Sequence, residues 1–124
     1  MNKLKVSQVA EARLSLLTLQ CGKCGICKLV CTPADAVLDH DHTTGAVRGT
    51  LHRSCNALLG KVENNYRRYG VKNLAAWAHG MPTYLDYHAV NRTGLLHPSH
   101  KTDEEKRLAR NAKARKTRAA RKTQ

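Results

Sequence analysis

The sequence predicts an α+β domain, mostly helical, in which a short β-hairpin and the helix after it are stapled together by a metal ion. Three observations carry that expectation. Two pairs with metal-ligand spacing, Cys24-Gly25-Ile26-Cys27 and His52-Arg53-Ser54-Cys55, enclose a stretch with hairpin patterning. A helix signal follows that stretch at once. Large apolar side chains are scarce: Phe is absent and Trp77 is the one tryptophan. A single domain of 124 residues with so little aromatic mass needs support beyond burial.

The elements follow in order. Val6, Val9, Ala10, Leu14 and Leu17 lie on one face of a helix over Val6 to Leu19. Cys21 to Cys31 is a cysteine-rich loop. Val37 to Leu51 reads as the hairpin, with Thr43-Thr44-Gly45 as its turn. Ser54 is expected to N-cap a helix that begins near Cys55. Asn73 to Ala78 suggests a short helix stopped by Gly80-Met81-Pro82. Asn91 to His100 is expected to be irregular, and no internal repeat is present.

The expected division places one domain with its N-terminal helix at 1–100 and a basic tail at 101–124. The tail holds 10 Lys+Arg and 3 acids, and Thr102 with Glu105 forms a capping-box pattern. Its apolar residues are Leu108 and alanines, so it has no face to bury. It is expected to be a solvated helix, or one that orders on binding.

The formal net charge is +13, from 22 Lys+Arg against 9 Asp+Glu. That balance suits a polyanion, and nucleic acid is the commonest. No apolar run approaches the roughly 20 residues that span a bilayer. Met1 to Gln20 lacks the compact apolar stretch of a signal peptide. The reading is therefore an intracellular protein with no membrane partner, where cysteines bind metal or stay free more often than they pair.

Cys24, Cys27, His52 and Cys55 can surround one zinc tetrahedrally. Four protein ligands leave no open position, so such a zinc is structural. Cys21 also makes a C-x-x-C with Cys24, and Cys31 is a further candidate. The spacing alone leaves these open.

Asp39-His40-Asp41-His42 is the densest chemical signal in the chain. Phosphodiester hydrolysis needs a base for water, a cation on the phosphate and ligands for that cation. His40 suits the base near neutral pH. Asp39 and Asn56 offer oxygen ligands suited to Mg²⁺ or Mn²⁺. In a regular strand Asp39 and His40 point to opposite faces, so one site can use both only if the strand twists, bulges or ends there.

Together, Cys24-x-x-Cys27, Leu38-Asp39-His40-Asp41-His42, Thr44-Gly45-x-Val47-Arg48-Gly49-x-Leu51 and Cys55-Asn56-x-x-x-Gly60 resemble the phage recombination endonuclease VII family of His-Me finger, or HNH-like, nucleases. The core likeness covers about residues 20–60, and a weaker one extends through Trp77, Tyr84-Leu85 and His97-Pro98. The resemblance implies a zinc-stabilised ββα-metal core with flanking helices. It implies Cys24, Cys27 and Cys55 as zinc ligands, with His52 where a fourth cysteine is usual. It implies Asp39 and Asn56 as ligands of the catalytic metal, His40 as general base and His42 as a second active-site histidine. The family can carry a Glu three residues after the Asn. Here Leu59 stands there, so the role of that acid is either lost or moved, with Glu63 as a candidate substitute. The implied activity is cleavage of branched DNA, including Holliday junctions, by homodimers during phage DNA recombination in the host cell. Two other readings compete: a nicking or homing-type endonuclease on linear duplex, and a non-enzymatic zinc-bound DNA-binding accessory protein. Arg48, Arg53, Arg67 and Arg68 are candidate contacts to the DNA backbone, with solvated surface charge as the alternative favoured for any one of them.

Overall fold

The computed structural model describes residues 2–123. Two compact units divide the chain, one as far as His79 and one from Gly80 onward.

The first unit opens with a 3-10 turn at Val6–Gln8 that runs into α1, Val9–Leu19. The expected helix over Val6 to Leu19 therefore holds as a 3-10 start and an α-helical body. The cysteine-rich loop folds back on itself, closed by an isolated bridge between Lys23 and Val30. Strands β1, Ala36–His40, and β2, Val47–His52, form a two-stranded antiparallel sheet. The register pairs Ala36 with His52 and Asp39 with Gly49. It then slips, so that His40 pairs with Val47 and Arg48 is the extra residue of a bulge.

Between the strands, Gly45 takes φ +77°, which costs a glycine little. Both Thr43 and Thr44 donate backbone N–H groups to the Asp41 carboxylate, at 2.8 and 2.9 Å. Asp41 thus builds an Asx turn, the reason an acid sits at this corner.

β2 runs directly into α2, Arg53–Asn65. The expected cap is corrected here. Ser54 lies within the helix, and the N-cap position is His52, which makes no side-chain cap bond. The last strand residue is already the first residue outside the helix, so no separate capping residue intervenes.

The core is small. Leu17, Cys24, Cys31, Ala36 and Leu51 are buried together, with Cys55 and Leu59 packed on them. Polar locks complete it. Thr50 is fully buried and donates its hydroxyl to the Arg13 carbonyl at 2.7 Å. The Gln20 amide accepts from the Thr50 N–H at 2.9 Å and donates to the Thr50 and Lys23 carbonyls, at 2.7 and 2.8 Å. One amide thereby satisfies backbone groups of β2 and of the loop, tying both to the end of α1.

Helix α3 is Leu74–Tyr87. Asn73 caps it, its Oδ1 accepting from the Ala76 N–H at 2.9 Å. The expected stop at Gly80-Met81-Pro82 is also corrected, because the helix continues through both Gly80 and Pro82. Proline removes one helical N–H, which leaves the Ala78 carbonyl without a partner. Ala78 is exposed, so water can take that carbonyl and the break is avoided.

In the second unit, the segment after α3 is irregular, as expected, but not unstructured. Asn91 Oδ1 accepts from the N–H groups of Thr93 and Gly94, at 3.2 and 2.8 Å, and Arg92 lies over the Tyr87 ring. Helix α4, Asp103–Lys122, begins at the expected capping box of Thr102 and Glu105. None of its residues is buried.

Candidate active site and zinc cluster

Cys24, Cys27, His52 and Cys55 converge at the join of β2 and α2, with one ligand atom from each lying within 4.8 Å of the others. The cysteine loop supplies two of these residues and the helix start supplies the others. Cys27 Sγ lies 3.3 Å, and Cys55 Sγ 3.8 Å, from His52 Nδ1. His52 Nε2 lies 2.8 Å from the Val30 carbonyl. A carbonyl can only accept, so Nε2 carries the proton and Nδ1 is left as the ligand. The His52 backbone N–H approaches Cys24 Sγ at 3.4 Å, a donor that favours thiolate. Three soft thiols and one imidazole with a fixed tautomer fit a structural zinc.

Electrostatics divides the four ligands: Cys24 is eased toward thiolate, whereas His52 and Cys55 hold their protons more tightly. Burial raises the Cys24 thiol, but backbone N–H groups of His52, Cys27 and Ile26 outweigh it and bring the thiol down to about 6. His52 is raised to about 9, chiefly by its bond to the Val30 carbonyl. Burial, then the neighbouring Cys24 and Cys27, pushes Cys55 up to about 11. The other two cysteines lie apart from the cluster. Cys21 is exposed, at φ +57°, outside the cluster. Cys31 is buried in the apolar core and is likewise outside it.

Beside this staple lies a cleft of about 270 Å³ lined by Asp39, His42, Asn56, Ala57, Gly60, Lys61, Glu63 and Asn64. β1 contributes Asp39, the start of the turn contributes His42, and α2 contributes the rest. Asn56, Gly60 and Glu63 share a helix face by their spacing. Gly60 leaves open space, since a Cβ there would meet nothing within 4 Å.

His40 is exposed and is absent from the cleft lining, but its ring stacks on that of His42, with centroids 4.7 Å apart and planes 20° from parallel. The register slips between Asp39 and His40, but the extra residue is Arg48 on the facing strand β2. The hydrogen bonds from Thr44 and Thr43 hold the Asp41 carboxyl below its ordinary range, so it stays an acceptor and secures the loop that carries His42.

Sequence reasoning missed the partners of Asp39. Arg48 Nε donates to Asp39 Oδ2 at 2.7 Å and Nη2 donates to Oδ1 at 3.0 Å. The same guanidinium donates to both Glu63 oxygens, from Nη1 at 3.0 Å and from Nη2 at 2.9 Å. Arg48 is therefore engaged with acids rather than free for a DNA backbone. One signal pointed to Glu63: it lies two helical turns beyond Asn56.

A hairpin that feeds a helix, locked at their join by a Cys3His cluster, is the ββα arrangement of metal-stapled nucleases. A family model for recombination endonuclease VII matches residues 2–80. The chain belongs to that family and is a DNA endonuclease. Among the described residues, no helix is long and apolar enough to cross a membrane.

Proposed function

We propose that this endonuclease cuts branched DNA, four-way junctions included, by hydrolysing phosphodiesters with one Mg²⁺ or Mn²⁺. One observation supports the reading most: Asp39, His42 and Asn56 border a single cleft, and His40 stacks on His42 at its edge. Asp39 and Asn56 are the oxygen donors that would hold the cation. When bound, the cation supplies charge stabilisation at the phosphate and leaving oxygen. His40 takes the proton of the attacking water. His42 supports the His40 ring by stacking and faces the scissile phosphate. A homodimer would place two such sites on the paired strands of a junction. The nuclease domain would reach to residue 100 and the tail from residue 101 would add affinity, within an infected host cell.

The test compares the full chain, loaded with zinc, on matched four-way, nicked and linear duplexes in Mg²⁺. The junction should be cut fastest. His40→Ala should lower cleavage by at least about 10²-fold while binding persists. Equal cutting of linear duplex would replace the junction reading with that of a nicking or homing-type enzyme. Near-normal cutting by His40→Ala would remove His40 as the base.

A further inference from the structure

We infer that Arg48 and Glu63 form a positioning pair that sets both the orientation and the charge of Asp39. The inference rests on the reading that Asp39 is a ligand of the divalent cation. Two fork-shaped contacts converge on one guanidinium, one to Asp39 and one to Glu63. They consume four of its five N–H donors, which leaves Arg48 little capacity to grip a phosphate as well. The bulge explains how the side chain arrives there. Arg48 is the residue that the slip in register leaves unpaired, and bulges re-aim side chains.

Asp39 itself is 6 % exposed, so solvent does not orient its carboxylate. Each of its oxygens accepts one N–H from Arg48 and keeps a second lone pair. Those lone pairs remain usable by a cation while the carboxylate plane is held. The acids of Asp39 and Glu63 flank a single guanidinium, so the trio keeps one net negative charge. Removing Glu63 would leave Asp39 neutralised by Arg48, and the cleft would attract a cation less. Removing Arg48 would leave two acids unbalanced. The cleft would then attract a cation more strongly but hold Asp39 less firmly. The two deletions therefore push metal affinity in opposite directions while both impair turnover.

The experiment uses the full zinc-loaded chain, with Mn²⁺ alone as the probe, titrated by calorimetry. Cleavage is then measured at saturating Mn²⁺. Glu63→Gln should weaken Mn²⁺ binding, and Arg48→Gln should tighten it, each by about tenfold for one unit of nearby charge in a partly screened site. Both should lower kcat at saturation. The double variant should return Mn²⁺ affinity to within about threefold of the parent. Arg48→Lys keeps the charge without the planar fork, so kcat should fall with Mn²⁺ affinity nearly unchanged. A merely structural pair would not give opposite affinity shifts. If Arg48→Gln and Glu63→Gln move Mn²⁺ affinity in the same direction, or not at all, the pair assignment is overturned. Asp39→Asn tests the underlying reading separately. Its loss of Mn²⁺ binding is expected, and its retention would remove Asp39 as a ligand whatever the other variants do.

Discussion

At the scale of single residues, the zinc cluster shows how local hydrogen bonds prepare a metal site. Nε2 of His52 is committed to the Val30 carbonyl, so the histidine at the usual place of a fourth cysteine presents Nδ1 alone. Protons and zinc then compete for the same atoms. His52, raised to about 9, and Cys55, raised to about 11, both hold protons at pH 7 in the metal-free chain. Cys24, lowered to about 6, has mostly lost its own. Zinc must displace the protons that remain, so its affinity rises with pH up to those values and falls as pH drops below them. Zinc uptake at pH 7 is expected to release at least two protons, from His52 and Cys55, read by a pH indicator during titration. Release of fewer than one would contradict the ligand set. Most of this site was legible in the sequence, because ligand spacing within each pair is local. The partners of Asp39 were not. Spacing puts Glu63 on the helix face of Asn56, but its meeting with Arg48 depends on a register slip in the sheet that spacing along the chain does not show.

At the scale of elements, contacts across the chain decide what local signals cannot. The hairpin, its turn and the α4 cap were readable because Gly45, Asp41 and Thr102 act on near neighbours. The Ser54 cap and the Gly80 stop were misread because β2 feeds straight into α2, and because exposure lets α3 carry a proline. Gly49 had no local signal of its own. Its reason lies at the C-cap of α1: a Cβ there would meet Gln20 Oε1 at 3.0 Å. That oxygen is the acceptor for the Thr50 N–H, so Gln20 cannot withdraw without giving up the bond. Gly49→Ala is expected to destabilise the zinc-loaded protein by about 1–3 kcal/mol, the usual cost of overpacking. Denaturant unfolding would measure it. Gly60→Ala is the contrasting case. Its Cβ meets open space within a helix, so the intrinsic preference of up to about 1 kcal/mol for alanine should appear as added stability. Equal effects at the two glycines would refute the account of Gln20 as a lock.

At the scale of the whole molecule, charge is distributed separately from chemistry. The residues proposed for catalysis all precede Asn65, whereas α4 from Asp103 to Lys122 is exposed along its length and carries acids at its start and bases beyond. Acids near the N-terminus and Arg121 and Lys122 near the C-terminus suit the helix dipole, which stabilises a helix that buries no face. Arg110, Lys113, Arg118 and Arg121 border one shared surface of it. A cationic row of this kind fits phosphates, and each phosphate contact adds about 0.9 to the magnitude of the log–log salt slope on duplex DNA. Replacing those four residues by Gln is therefore expected to flatten the salt slope of DNA binding by about 2–4 and to weaken binding at physiological salt. Cleavage at low salt and saturating enzyme should persist, because Asp39, His40 and Asn56 are untouched. The substitutions keep α4 intact, since Gln is nearly as good a helix former as Lys or Arg. An unchanged slope would show that the basic helix serves something other than the DNA backbone, such as a protein partner.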